Sequence, residues 1–322
     1  MGKPRIYITR KIPDHLLGPY KEQFDFHLWE KEEEAVPREI LKKEASQAEG
    51  LLCVLTDKID EDLLQGAPNL KMAANMAVGY DNIDIPAAKK YGVTVTNTPD
   101  VLTETTADMG LALLMTTARR MIEANQNIKK DQWKNWSPYL LAGTDVHHKT
   151  MGIAGMGRIG QAIARRAKGF GMSVMYYNRS RKPDAEQELG AEYAAFDTLL
   201  KEADFVISVL PMTDETKKMF NAAAFQKMKS SAIFVNISRG GVVNETELAE
   251  AIKDKQIRGA GLDVFENEPI SADHPFMQHE EIVCMPHIGS ATEETRSAML
   301  KLCLENIDGF FSGNGAKTPV KD

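Results

Sequence analysis

Thr150-Met-Gly-Ile-Ala-Gly155-Met-Gly157-Arg158-Ile159-Gly160 decides how this chain is read. It holds Gly155-x-Gly157-x-x-Gly160 behind an apolar run, and Gln161-Ala-Ile-Ala-Arg-Arg-Ala leads out of it with helical character. Three glycines at this spacing are weak evidence alone. A strand before them and a helix after them make the stretch a dinucleotide cradle. Gly155 permits the tight turn, Gly157 lets the backbone approach a pyrophosphate, and Gly160 lets the helix pack close to its strand. The helix start, with Arg158 and Ile159, then offers unpaired N–H groups and partial positive charge to the phosphates.

Around this turn, segments 151–154, 172–177, 205–210, 233–237, 260–264 and 282–285 are strand-like. Segments 158–170, 197–201, 222–228 and 245–253 carry helical periodicity between them. That alternation predicts a doubly wound parallel sheet, because parallel strands need crossovers and helices supply them. Upstream, 5–9, 24–28, 50–55 and 93–95 read as strands and 38–47 and 85–91 as helices, a smaller α/β unit. Between the two, 103–130 reads as one long helix connecting the domains. Met109, Leu113 and Leu114 fall on one of its faces, and Thr105 with Asp108 fits a capping box. The polar stretch 132–149, with Trp133, Trp136, Tyr139 and His147-His148, reads as a loop or arm. Segment 290–310 is helical again, behind a Ser290-x-x-Glu293 capping box.

The 322 residues suit two domains, and 43% hydrophobic with 26% charged residues excludes wholesale disorder. Lys plus Arg number 39 against 46 Asp plus Glu, a net charge of −7, which argues against a dedicated nucleic-acid or anionic-membrane surface. The strongly apolar stretch 109–115 is too short to span a bilayer, and MGKPRIYITR lacks the apolar core of a secretory signal. Ile6 stands where a myristoylation motif wants Ser or Thr. Cys53, Cys284 and Cys303 lie in apolar runs without paired spacing and read as reduced core residues. The expectation is a cytoplasmic globular protein.

One strand after the cradle, an NAD-specific site carries Asp or Glu for the adenosine ribose. Here Tyr176-Tyr-Asn178-Arg179-Ser180-Arg181-Lys182 stands, with no carboxylate before Asp184. Arginine pairs with a 2′-phosphate that an acid would repel, so NADP is the preferred cofactor and NAD the alternative. A solvated basic loop is the plainer reading of the same residues.

Three further residues follow strands of the same sheet, where a ligand crevice belongs. Arg239 stands in Ile237-Ser-Arg-Gly240-Gly241, Glu268 in Gly261-Leu-Asp263-Val-Phe-Glu-Asn-Glu268-Pro269, and His287 in Pro286-His-Ile-Gly289-Ser290. Reduction of a 2-oxo acid uses such a set. Arginine grips the carboxylate and polarises the carbonyl, a protonated histidine donates to the carbonyl oxygen, and a carboxylate steadies the histidine. Singly, each has a bland reading: a surface charge, a turn end, a satisfied core histidine.

With these residues in place, the chain resembles the D-isomer-specific 2-hydroxyacid dehydrogenases. The resemblance runs through Asn75-Met-Ala-Val78-Gly79-Tyr-Asp-Asn-Ile-Asp84, the cradle, Asn236-Ile-Ser-Arg239-Gly-Gly, Leu262-Asp-Val and Pro286-His-Ile-Gly-Ser-Ala-Thr292. Within the family it is similar to the glyoxylate/hydroxypyruvate reductase branch, which includes 2-ketogluconate reductases. The resemblance implies two Rossmann-like domains with an interdomain cleft. Residues 1–100 plus 291–322 would form the flavodoxin-like substrate-binding domain, and 101–290 the dinucleotide-binding domain. It implies Arg239 as substrate anchor, His287 as acid/base and Glu268 as its partner. Val78, Gly79 and Ser290 would contact substrate. Thr106, Pro211, Ile237, Asp263 and Gly289 would neighbour the cofactor, Thr106 and Asp263 nearest the nicotinamide. It also implies a homodimer, with contacts expected at the long helix and the Trp136 arm.

The ending at Asp322 lacks the regulatory extension of many phosphoglycerate dehydrogenases, and Glu268 argues against formate dehydrogenases, which carry glutamine there. L-specific lactate and malate dehydrogenases place the fingerprint near the N-terminus, unlike Gly155 here. His279, Cys284 and His287, and the pair His147-His148, match no zinc spacing, so no metal is expected. The alternative function is a dinucleotide-sensing, corepressor-like protein of the same fold, which can retain all three site residues. Long polar tails for partner recruitment are missing, which favours the enzyme.

Overall fold

The computed structural model describes residues 2–321, which divide into two compact units, 2–102 with 292–321 and Thr103–Ala291. In the first, β1 (Arg5–Ile8), β2 (Asp25–Leu28), β3 (Gly50–Cys53), β4 (Met72–Asn75) and β5 (Thr94–Thr96) form a parallel sheet of order β2-β1-β3-β4-β5. This is the flavodoxin-like order. Side chains alternate between faces of a strand, so each face builds its own core. Tyr7, Leu51, Cys53, Ala73 and Val95 pack under helices Arg38–Gln47, Glu61–Gln65 and Ile85–Lys90. Ile6, Ile8, Leu52, Met72 and Ala74 pack against Leu300, Cys303, Leu304 and Ile307 of helix Glu293–Phe311.

The second unit holds β6 (Thr150–Ala154), β7 (Ser173–Tyr177), β8 (Glu192–Tyr193), β9 (Phe205–Ser208), β10 (Ile233–Asn236), β11 (Gly259–Leu262) and β12 (Ile282–Cys284). All pair in parallel, in the order β12-β11-β10-β9-β6-β7-β8. The chain reverses its direction of winding between β6 and β9, which is where a doubly wound sheet opens a crevice beyond its strand ends. Met151, Ile153, Phe205, Ile207 and Val235 face helices Thr103–Ala118 and Arg158–Gly169, while Val206, Phe234 and Leu262 face helices Phe196–Glu202, Ala222–Lys227 and Glu245–Lys253.

The two-unit α/β architecture is the one expected, with local corrections. Strand β4 carried little sequence signal because Met-Ala-Ala-Asn is poor in β-branched residues. The expected single helix over 103–130 is two, Thr103–Ala118 and Met121–Lys129. Arg120 between them has φ 51°, and the Ala118 carbonyl accepts instead from the returning chain at Thr144 N, 2.8 Å away. Thr105 lies inside the first helix, so the capping box proposed there does not form. The first helix is no free connector: Gly110 lets it sit so close to the sheet that a Cβ there would come 2.8 Å from Ile237 Cδ1. At the last helix the cap is Thr292, whose side chain accepts from Thr295 N, rather than Ser290. No helix among the described residues is long and apolar enough to cross a membrane.

Candidate active site

The cradle follows β6. Gly155 has φ 106°, and a Cβ there would lie 2.8 Å from the Val209 carbonyl oxygen. At Gly160 a Cβ would lie 2.1 Å from the Gly155 oxygen, so helix and turn pack as the fingerprint requires. Around Gly157 nothing comes within 4 Å of a Cβ position. Two glycines are therefore demanded by the protein itself, and the middle one leaves room for something outside it. Helix Arg158–Gly169 starts without a side-chain cap and without an acid in its first turn, which suits a pyrophosphate.

Beyond β7, Asn178 Oδ1 accepts from Met156 N (3.2 Å) and Asn178 Nδ2 donates to the Ser180 carbonyl (2.8 Å), tying this strand end to the cradle. Arg181 is turned away, donating to both oxygens of Glu186 at 2.9 and 2.8 Å, and Tyr176 donates to the same carboxylate at 2.6 Å. Those bonds, Arg181 first, hold the Glu186 carboxyl below its ordinary range. Arg179 is exposed. After the Thr213 hydroxyl and the Glu215 amide, its charge also helps keep Glu215 ionised, on the loop beyond β9.

Arg239 stands three residues beyond β10. The buried Asn236 organises this turn: Oδ1 accepts from Ser238 N (3.1 Å) and Ser238 Oγ (2.7 Å), and Nδ2 donates to the Arg239 carbonyl (2.9 Å). Gly240 follows, and a Cβ there would lie 1.8 Å from the carbonyl carbon of Phe265. The arginine turn thus rests on the backbone that leads to Glu268. Glu268 accepts from Phe265 N at 3.0 Å through Oε1 and meets His287 Nδ1 at 2.7 Å through Oε2. Burial pushes the Glu268 carboxyl up. The hydrogen bond and charge of His287, the Phe265 amide and the Arg239 charge outweigh it, and the carboxyl sits below its ordinary value.

His287 has φ 54°, a left-handed backbone that costs a non-glycine residue about 1–3 kcal/mol. The next two amides anchor it: Ile288 N and Gly289 N donate to Asp263 at 2.8 and 2.7 Å. Asp263 is buried, and burial raises its carboxyl above the ordinary range against the pull of those amides and His287. With Nδ1 on Glu268, the ring is left with Nε2 for proton transfer.

Thr106 and Asp263 both approach Gly289, where a Cβ would lie 3.5 Å from Thr106 Cγ2 and 3.1 Å from Asp263 Oδ2. Pro211 is exposed beyond β9, Ile237 is buried beyond β10, and Ser290 is partly buried. Val78 and Gly79 belong to the first unit, in the loop after β4. A cavity of about 360 Å³ lies instead at the starting ends of β10 and β11, lined by Arg120, Glu123, Lys255 and Arg258; it is remote from this chemistry. Among the described residues no three His, Cys, Asp or Glu side chains converge as a metal site. Sequence reasoning missed Asn236, although its place three residues before Arg239 at a strand end was a usable signal. It also missed the left-handed His287, for which no sequence signal exists.

Residues 111–289 match the family described as D-isomer specific 2-hydroxyacid dehydrogenase, NAD binding domain. The chain is 48% identical over 322 residues to a glyoxylate reductase of Thermococcus onnurineus, covering 99% of this chain and 96% of that one. It is similar to a Thermus thermophilus protein of known structure, at 39% identity and a TM-score of 0.92, covering 98% of this chain and 100% of that one. A third relative is an NADPH-dependent glyoxylate/hydroxypyruvate reductase of Sinorhizobium meliloti, solved with NADP and malonate. That match has 33% identity and a TM-score of 0.85, over 99% of this chain and 97% of that one. Family, fold and cradle agree on a nicotinamide-dinucleotide oxidoreductase, and the chain belongs to the D-isomer specific 2-hydroxyacid dehydrogenase family.

Proposed function

We propose that this protein is an NADPH-preferring reductase that converts small 2-oxo acids, glyoxylate and hydroxypyruvate foremost and 2-ketogluconate as a further candidate, to D-2-hydroxy acids. The observation that carries the proposal is the 2.7 Å Glu268–His287 pair, with Arg239 close enough to help keep Glu268 ionised. The Arg239 guanidinium grips the substrate carboxylate and polarises the neighbouring carbonyl. Protonated His287 donates from Nε2 to the carbonyl oxygen, while Glu268 on Nδ1 orients the ring and stabilises its cation. A reduced nicotinamide dinucleotide, which the Gly155–Gly160 cradle and the start of helix Arg158–Gly169 would hold, would supply the hydride for the carbonyl carbon. Val78 and Gly79 offer backbone N–H groups to the carboxylate, and Ser290 lies at the substrate. Thr106, Asp263 and Gly289 border the nicotinamide end, with Pro211 and Ile237 along the cofactor. In this reading the first unit binds substrate and the second binds dinucleotide.

The NADP preference rests on Asn178, Arg179 and Ser180 at the end of β7, with Arg181 a lesser contributor because Glu186 already holds it. A homodimer is part of the proposal. Helix Met121–Lys129 buries none of its residues, and Ile128, Trp133, Trp136 and Tyr139 are exposed, Tyr139 by 87%. So dense a run of exposed apolar side chains is characteristic of an interaction surface. The sensing alternative draws no support from the relatives named above, which are reductases where their activity is stated.

The test is initial rates with glyoxylate and hydroxypyruvate, NADPH against NADH. Fast NADPH-dependent turnover supports the whole reading, whereas preference for NADH refutes the 2′-phosphate assignment alone. Absence of turnover with any small 2-oxo acid, in protein that binds dinucleotide, refutes the reductase.

A further inference from the structure

The loop after β4 has three successive carbonyls, all held from within the first unit. Ala77 O accepts from Thr98 N (2.8 Å), Val78 O from Asn97 Nδ2 (2.8 Å) and Gly79 O from Asn75 Nδ2 (3.0 Å). In a trans peptide the C=O and the following N–H point in opposite directions. Holding these three oxygens therefore turns the N–H groups of Val78, Gly79 and Tyr80 away from their anchors. Among the described residues none of these three amides donates a hydrogen bond. Successive backbone N–H groups without internal partners are free to donate to an anion.

The two asparagines are themselves fixed. Asn75 is fully buried, and its amide meets that of Asn82 at 3.3 and 3.4 Å. Asn82 Nδ2 is anchored on the Val54 and Asp57 carbonyls at 3.2 and 3.0 Å. The Asn97 backbone is clasped by Thr318, which accepts from Asn97 N at 3.3 Å and donates Oγ1–H to Asn97 O at 2.6 Å. Thr318 is held in turn by Asn306 through bonds of 2.8 and 2.9 Å. A neutral amide donor suits both positions, because a carboxylate there would repel the carbonyl it faces and any anion beyond it.

We infer that Asn75 and Asn97 are positioning residues that keep the backbone N–H groups of Val78, Gly79 and Tyr80 open to the substrate carboxylate. This rests on the 2-oxo acid reading above and adds to it Tyr80 as a third donor and the side chains that aim all three. Neither asparagine touches the reacting atoms, so the effect of replacing one falls on substrate affinity.

With the full-length protein and NADPH, Asn97→Ala should raise the KM for glyoxylate about tenfold, the equivalent of one weakened charge-assisted hydrogen bond. The kcat and the KM for NADPH should stay unchanged, and Asn97→Gln, which keeps a donor, should recover part of the loss. An unchanged KM for glyoxylate in folded Asn97→Ala overturns the inference. So does a loss of kcat, cofactor affinity and thermal stability together, the mark of a merely structural role.

A second readout needs no turnover. Oxalate, added with NADP, should slow hydrogen exchange at the amides of Val78, Gly79 and Tyr80 in the wild type, and less in Asn97→Ala. Exchange slowed in a wild type that does not reduce glyoxylate would sink the reductase and leave the loop assignment standing. Glyoxylate reduction with these amides unaffected by oxalate would sink the loop assignment alone. Should Asn97→Ala fail to fold, the wild-type exchange result decides.

Discussion

Glu268→Gln separates charge from shape at the residue pair on which the proposed chemistry depends. The two terminal oxygens of Glu268 face two groups, the Phe265 amide at 3.0 Å and His287 Nδ1 at 2.7 Å. When the imidazole is protonated, both of those groups are donors. A carboxylate accepts from both, but a carboxamide of the same length has one acceptor oxygen and one NH2, so one contact becomes donor against donor. A hydrogen bond to a charged group contributes about 1.5–3 kcal/mol. Its loss should lower kcat/KM for glyoxylate reduction about 10- to 100-fold, each factor of ten being about 1.4 kcal/mol. The assay is kcat/KM from about pH 5 to pH 10 for both proteins, with NADPH binding followed alongside. A folded variant with normal cofactor affinity and wild-type kcat/KM would refute the role given to Glu268.

Further outcomes follow from the same geometry. Gly240→Ala must push against the Phe265 backbone rather than a flexible side chain, so it should destabilise the protein by about 1–3 kcal/mol or more. It should also lower kcat/KM more than NADPH affinity; melting temperature and kinetics indistinguishable from wild type would contradict this. Arg179→Ala should raise the KM for NADPH about tenfold and spare NADH, with a smaller effect from Arg181→Ala, whose guanidinium already lies on Glu186. Parallel losses with both cofactors would count against the 2′-phosphate site. The folded-state value of Glu268 is depressed, so its pairing stabilises the protein above the ordinary carboxylate value and is lost as pH falls through the depressed one. Wild-type melting temperature should therefore drop more steeply than that of Glu268→Gln across this acidic window, and parallel curves would disprove it.

What the sequence revealed and what it concealed have physical reasons. β6, β9 and β10 are buried on both faces, and their near-continuous apolar runs announced a parallel sheet. β4 is as buried as these, yet its alanines carry no strand preference and hid it. The 103–130 periodicity was genuine on both sides of Arg120. The break depends on Thr144, distant in sequence, taking the Ala118 carbonyl, and helical spacing carries no trace of that. At the site, Arg239, Glu268 and His287 were legible because each follows a strand, and parallel strands collect such residues at one edge of the sheet. Their mutual arrangement was not legible. It depends on Gly240 against Phe265, on Asp263 reaching two amides past His287, and on Arg181 choosing Glu186, all of them tertiary contacts.

The first unit is assembled from both ends of the chain, and this sets an order on its birth at the ribosome. Its five strands are all made before residue 103, but the helix that covers Ile6, Ile8, Leu52, Met72 and Ala74 starts only at Glu293. At synthesis rates of about 5–20 residues per second, the intervening 189 residues (291 − 103 + 1) take roughly 10–40 s. For that interval this face of the nascent sheet has the early Leu17 and Phe24 over it but not Leu300, Cys303, Leu304 and Ile307, while the contiguous second unit has every residue it needs to fold. The later-starting unit is thus the first to be finished, and the half-covered apolar face exposes the growing polypeptide to aggregation in the meantime.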